Sequence, residues 1–153
     1  METFLDEGDR DATARQLLKK AYVWMNFGYY QRAMQVCEYA AERADDPFVA
    51  RTLHGAILTA SGRALEGMRM LMKLHRRRRD AILTALYLAE ACFLAGRPRR
   101  GFKTLDSIDR QALEDSPFEP FARQLRETWE NIDEVQPLEV PLEERSDARS
   151  RTP

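Results

Sequence analysis

The sequence has little of what metal and redox sites need: 153 residues contain only two cysteines and two histidines. Cys37 and Cys92 lie far apart, and neither belongs to a CxxC motif or a Cys/His cluster, so the sequence predicts no metal site and no cofactor. Both cysteines fall within apolar helical segments. This favours buried, reduced thiols in a cytosolic protein, with a reactive or bridging pair as the alternative.

Long apolar runs are lacking as well. No stretch approaches the roughly 18 apolar residues of a membrane-spanning helix, and the polar, acidic residues 1–10 have no signal-peptide core. We therefore expect a cytoplasmic protein without membrane insertion. The charges nearly cancel, with 24 basic and 25 acidic side chains, so composition gives no general attraction to nucleic acid or anionic membranes.

Catalytic motifs are also missing from the sequence. It contains no HExxH, Walker or GxGxxG pattern and no recognisable Ser/His/Asp arrangement. His54 precedes the small residue Gly55 and is interpreted as a structural histidine, whereas His75 begins a basic run and is expected to be exposed. The sequence thus predicts a protein that is not an enzyme.

What the sequence does contain is a repeat. Gly28, Gly62 and Gly96 are spaced 34 residues apart, the period of a unit made of two antiparallel helices. Glycine suits the turn between such helices because it adopts a positive φ without a Cβ clash. Small residues that allow close helix packing recur seven before and five after each glycine: Ala21, Gly55 and Ala89, then Ala33, Gly67 and Gly101.

The same register predicts the helices. They are expected near 11–26, 30–44, 48–60, 64–77, 80–95 and 98–108, and no alternating strand pattern persists anywhere. After a break at 116–120, apolar residues at helical spacing predict a capping helix near 117–133. One helical domain, 11–133, would then lie between a flexible N-terminus, 1–10, and a disordered tail, 134–153, whose alternating apolar residues leave a docking strap as the alternative.

The repeat resembles the tetratricopeptide family over about residues 14–110. The first unit is the best match, with Trp24, Gly28, Tyr30, Ala33, Ala40 and a closing Asp46-Pro47. The second unit departs from the family pattern with Ala64 at an aromatic position, and the third departs with Pro98. The resemblance implies an all-α, right-handed solenoid of three helical hairpins with a C-terminal capping helix.

The resemblance also implies a binding groove. In that family the first helix of each hairpin lines a concave surface, with ligand-facing residues three, six, ten and thirteen positions before the turn glycine. Carried onto this sequence, with Tyr87 added as a neighbour, the apolar members are Leu18, Tyr22, Met25, Val49, Ala56, Leu83, Leu86, Tyr87 and Phe93. Such a groove suits an amphipathic helix of a partner protein. Alternatively, some of these residues pack against neighbouring repeats or the C-terminal helix.

Three repeats and a cap in about 150 residues look like the small tetratricopeptide chaperones of bacterial type III secretion systems. This similarity implies a chaperone that holds a hydrophobic or self-assembling export substrate. The alternative function is a scaffold or adaptor that docks a folded partner, for which the sequence offers a basic run, Arg76, Arg77, Arg78 and Arg79, that could contact an acidic partner. The run is also typical of a solvated helix end, and nucleic acid is not expected because the chain is nearly neutral. Self-association into a homodimer is a further alternative.

Overall fold

Eight α-helices and no strands make up residues 12–132, the part of the chain that the computed structural model describes. The helices are α1 (Ala14–Asn26), α2 (Tyr30–Arg43), α3 (Phe48–Ala60), α4 (Ala64–Arg77), α5 (Ile82–Leu94), α6 (Pro98–Asp106), α7 (Arg110–Glu114) and α8 (Glu119–Glu130). The predicted all-α class is confirmed, and among the described helices only α7 has no counterpart in the sequence prediction. The flexible start, 1–10, and the disordered tail, 134–153, were predicted for segments that lie outside the described residues.

The three turn glycines end the first helix of each hairpin. Gly28, Gly62 and Gly96 have φ values of 82°, 93° and 77°, as the spacing predicted. In the first turn, the amide of Tyr29 donates to the Trp24 carbonyl at 2.9 Å, and the other two turns repeat this bond. This is the Schellman arrangement, which satisfies carbonyls at the helix end that would otherwise lack a partner.

The two helices of the second hairpin approach each other closely through glycine. A Cβ on Gly55 would lie 2.6 Å from Cγ of Leu71, and one on Gly67 would lie 2.7 Å from the Gly55 carbonyl oxygen and still nearer to Oγ1 of Thr59. Neither position has space for a side chain, because Cβ atoms do not approach other heavy atoms this closely. The sequence expectation that small residues permit this packing is confirmed for α3 and α4.

Each helix packs against its neighbours in sequence, and the odd-numbered helices of the hairpins also pack against one another. Each of α1 to α5 contacts the helix that follows it, while α1 contacts α3, α3 contacts α5, and α5 contacts α8. Inside this arrangement the hydroxyls of Thr52 and Thr84, both buried, share a hydrogen bond of 2.9 Å between α3 and α5. The first helices of the three hairpins therefore lie side by side, and α8 follows them against α5 and α6.

Candidate partner-binding surface

Six of the predicted groove residues keep accessible side chains along the row of α1, α3 and α5. Tyr22 is 48% exposed and Val49 is 57% exposed, and the other four are partly exposed. We call this set the odd-helix face: Leu18, Tyr22, Met25, Val49, Leu83 and Tyr87. Leu18, Met25 and Tyr87 also pack against the buried core beneath, so the face is an apolar surface anchored in the fold.

The other three predicted groove residues are covered by the chain itself. Ala56, Leu86 and Phe93 retain only 3%, 0% and 2% of their exposure. The Phe93 ring stacks on Trp129 of α8, with centroids 5.0 Å apart and planes at 9°, and Leu86 belongs to the core cluster that includes Leu125 of α8. Helix α8 thus covers part of the third hairpin: it leaves Leu86 and Phe93 without surface for a partner and places the Phe121 ring against Tyr87, with centroids 5.6 Å apart.

One carboxylate lies within this apolar surface. Glu90 of α5 is half-buried, and no hydrogen bond or ion pair involves its side chain within the described residues. Burial raises the pKa of Glu90, and burial also raises the pKa of Tyr87 to about 12, with smaller contributions from the neighbouring Tyr22 and Glu90. Glu90 lies six residues before its turn glycine, as Tyr22 and Ala56 do in their hairpins. The predicted groove did not include Glu90 because only apolar residues were assigned to it.

Removing the charge of Glu90 should stabilise the protein at neutral pH. Because its folded pKa lies above the ordinary value of 4.5, the stabilising protonated form is lost as the pH rises from 4.5 through the folded pKa. We expect Glu90→Gln to raise the thermal midpoint at neutral pH and to remove the loss of stability that Glu90 causes as the pH rises. Circular dichroism melts from acidic to neutral pH measure both effects.

The exposed Glu127 of α8 provides the matched control, since Glu127→Gln removes the same charge from a solvated position. For both variants, the thermal midpoint at each pH should be compared with that of the wild-type chain. This comparison is needed because burial lowers the pKa of His54 and His75, so the stability of every variant also falls as the pH drops below 6.5. A lower midpoint for Glu90→Gln would contradict the absence of a partner for this carboxylate.

The basic run at the end of α4 is only partly a solvated helix end. Arg78 forms an ion pair with Asp46, and its guanidinium lies over the Phe48 ring, 4.2 Å from the centroid. Arg76 donates to the sulfur of Met72 at 3.4 Å. The expectation that His75 is exposed is wrong, because this side chain is half-buried, and Nδ1 has no hydrogen-bond partner in the described structure.

The two cysteines are poor nucleophiles in this fold. Cys37 and Cys92 are free thiols with 1% and 0% exposure, and burial raises their pKa values to about 12 and about 11. Both thiols are therefore protonated at neutral pH. Between residues 12 and 132, no group of three or more His, Cys, Asp and Glu side chains is arranged to hold a metal ion, and no helix there has the length and apolar character to cross a bilayer.

Comparison with known proteins found no match: no protein-family model, no curated protein and no solved structure matches the chain. The resemblance to tetratricopeptide repeats therefore depends on the residues themselves. These are the three turn glycines at a spacing of 34 and the small residues on either side of them.

Proposed function

We propose that the chain is a tetratricopeptide-like protein that binds another polypeptide, with α1–α6 as a right-handed solenoid of three hairpins and α8 as its cap. Two features support this architecture. The turn glycines recur every 34 residues with positive φ, and the first helices of successive hairpins contact one another. Each hairpin of such an array buries its apolar side against its neighbours, which leaves the row of first helices available for a ligand.

The observation that carries the binding function is the exposure of large apolar side chains on the odd-helix face. Tyr22 and Val49 leave about half of their surface in water, and Leu18, Met25, Leu83 and Tyr87 surround them with further apolar area. At ~25 cal/mol per Å2, covering a few hundred Å2 of such surface gives several kcal/mol before ordering costs. An amphipathic helix supplies a matching apolar stripe.

The unpaired carboxylate of Glu90 indicates which side chain the partner's amphipathic helix should carry. A buried or half-buried charge is costly without a counter-ion, and Glu90 has none within residues 12–132. A lysine or arginine inside the apolar stripe of the partner would supply it. The partner that fits best is therefore an amphipathic helix with one basic residue on its apolar side.

In this proposal the chain acts in the cytoplasm as a chaperone and not as an enzyme. It would hold a hydrophobic or self-assembling export substrate, as the small tetratricopeptide chaperones of type III secretion do. The support for this step is the number of hairpins, the chain length and the apolar face, together with the family resemblance; fold similarity alone does not determine function.

The test is capture of the partner by purified, tagged protein from the native host, followed by mass spectrometry. We expect the wild-type chain to recover a small helical protein, and Tyr22→Glu combined with Val49→Glu to reduce recovery by at least about tenfold, since each charge would be buried in an apolar contact. Leu86 is unsuitable for this test because it is fully buried and a charge there would disrupt the third hairpin.

The matched control places the same two charges elsewhere. Leu65 and Leu94 are exposed by 40% and 53% and lie outside the odd-helix face, so Leu65→Glu with Leu94→Glu should leave capture intact. Far-UV circular dichroism should show unchanged helicity in both double variants. Undiminished capture by the Tyr22 and Val49 variant would refute the assignment of the binding face.

The second candidate function is a scaffold or adaptor that docks a folded partner through its arginines. Arg76, Arg77 and Arg79 are exposed and form no ion pair within the described residues. Charge reversal of Arg76 and Arg79, which leaves the ion pair between Arg78 and Asp46 intact, separates the two functions, because loss of the partner is expected only for the adaptor.

A further inference from the structure

A cavity of about 310 Å3 lies where the segment before α3 meets the end of α4. Its apolar part is formed by Phe48 and Leu74, which are 9% and 5% exposed. Three guanidinium groups, those of Arg51, Arg77 and Arg78, also line it. The odd-helix face contributes no residue to this cavity, so the two are separate surfaces.

The charges around the cavity do not cancel. Arg78 is paired with Asp46, which also lines the cavity, and this contact together with the amide of Phe48 holds the pKa of Asp46 below its usual value. Arg51 and Arg77 form no ion pair in the described structure. The lining of the cavity therefore carries three guanidinium groups and one carboxylate beside an apolar floor.

We propose that this cavity is a second binding site, which accepts a peptide segment of a protein partner in which an acidic residue neighbours an aliphatic one. The carboxylate would pair with Arg51 and Arg77, because guanidinium groups bind carboxylates through paired hydrogen bonds. The aliphatic side chain would contact Phe48 and Leu74. Ligand pockets span about 300–1,000 Å3, so a cavity at the lower limit has room for one or two side chains.

The same residues favour a peptide over nucleic acid. A base would need an aromatic face on which to stack, but the guanidinium of Arg78 already covers the Phe48 ring. The net charge of -1 adds no general attraction for a polyanion.

The proposal can be tested by fluorescence anisotropy with the full chain and a labelled synthetic peptide in which leucine alternates with glutamate. We expect saturable binding, and at least about tenfold weaker binding when the glutamates are replaced by glutamine, since each charge-assisted contact is lost. Arg51→Gln combined with Arg77→Gln should weaken binding of the glutamate peptide by a similar factor. Both arginines are exposed, so this variant should fold, as circular dichroism melts can verify.

Two pairs of exposed arginines outside the cavity serve as controls. Arg99→Gln with Arg100→Gln removes the same charge from α6, and Arg76→Gln with Arg79→Gln removes it from the basic run without altering the cavity. Both should change affinity by less than about twofold if only the cavity groups contact the ligand. A loss in either control equal to that of the cavity variant would overturn the proposal in favour of general charge attraction.

Other occupants would also overturn it. An oligothymidine strand that binds as tightly as the peptide, and weakens with the same variants, would identify a nucleic-acid site. Tighter peptide binding after Glu139→Gln, Glu143→Gln and Glu144→Gln in the full chain would show that its own C-terminal segment competes for the cavity. Failure of the glutamate peptide to bind refutes the site and leaves the odd-helix face untested, so the two proposals fail separately.

Discussion

Replacing Gly67 with alanine should lower the free energy of unfolding by about 3 kcal/mol, the upper part of the range for overpacked cores. The added methyl group would lie 2.7 Å from the carbonyl oxygen of Gly55 and against Oγ1 of Thr59. Those two atoms already share a hydrogen bond of 2.9 Å, so the methyl group would both clash with the bond and push α3 and α4 apart. Alanine also favours helix over glycine by about 1 kcal/mol, and the steric cost must exceed that gain.

The control is the same substitution at a glycine with open surroundings. Gly62 has a φ of 93°, and a Cβ there would meet no atom within 4 Å. Gly62→Ala should cost about 1–2 kcal/mol from backbone strain alone. Urea unfolding followed by circular dichroism gives both values. A smaller loss for Gly67→Ala than for Gly62→Ala would mean that the two helices can separate easily, contrary to the close approach described above.

Phe93→Ala should lower the free energy of unfolding by roughly 3–5 kcal/mol. The ring is 2% exposed and joins three helices: it lies in α5, meets Phe102 of α6 edge-on with centroids 4.9 Å apart, and stacks on Trp129 of α8. Its loss leaves a cavity where α8 is attached to the third hairpin. We therefore also expect Trp129 to become more exposed, visible as a red shift of its fluorescence in a Trp24→Phe background.

An exposed phenylalanine provides the comparison for this deletion. Phe27 is 73% exposed, and Phe27→Ala should change stability by no more than about 0.5 kcal/mol. Equal losses for the two variants, or an unchanged Trp129 spectrum, would show that Phe93 does not hold α8 in place.

The helices of the three hairpins could be predicted from sequence because their signals are local. A glycine such as Gly28 marks a turn by its own backbone preference, and small residues such as Gly67 mark close packing at a fixed distance from it. Helix α7 could not be predicted because it has five residues, too few for a periodic pattern of apolar side chains. Its one local signal is Asp109, whose carboxylate accepts a hydrogen bond from the amide of Ala112 at 2.9 Å.

The surface was harder to predict because it depends on contacts between distant parts of the chain. The repeat register treats Phe93 and Met25 as equivalent, yet only Phe93 has α8 beside it. In the same way, Arg78 reaches Asp46, 32 residues earlier, and this contact with a distant segment sets it apart from the rest of the basic run. A sequence pattern gives the position of a residue within its hairpin and does not give what covers that hairpin.

Helix α8 and the first hairpin also expose side chains of different chemistry. Its exposed side chains after Pro120 are polar, among them Arg123, which pairs with Glu119 within the helix. The first hairpin instead leaves Val23 and Phe27 at 50% and 73% exposure. Two copies that met through the exposed apolar residues of the first hairpin would use the same surface twice, which gives a closed two-fold pair. Head-to-tail filaments would require a second apolar surface, which α8 does not offer.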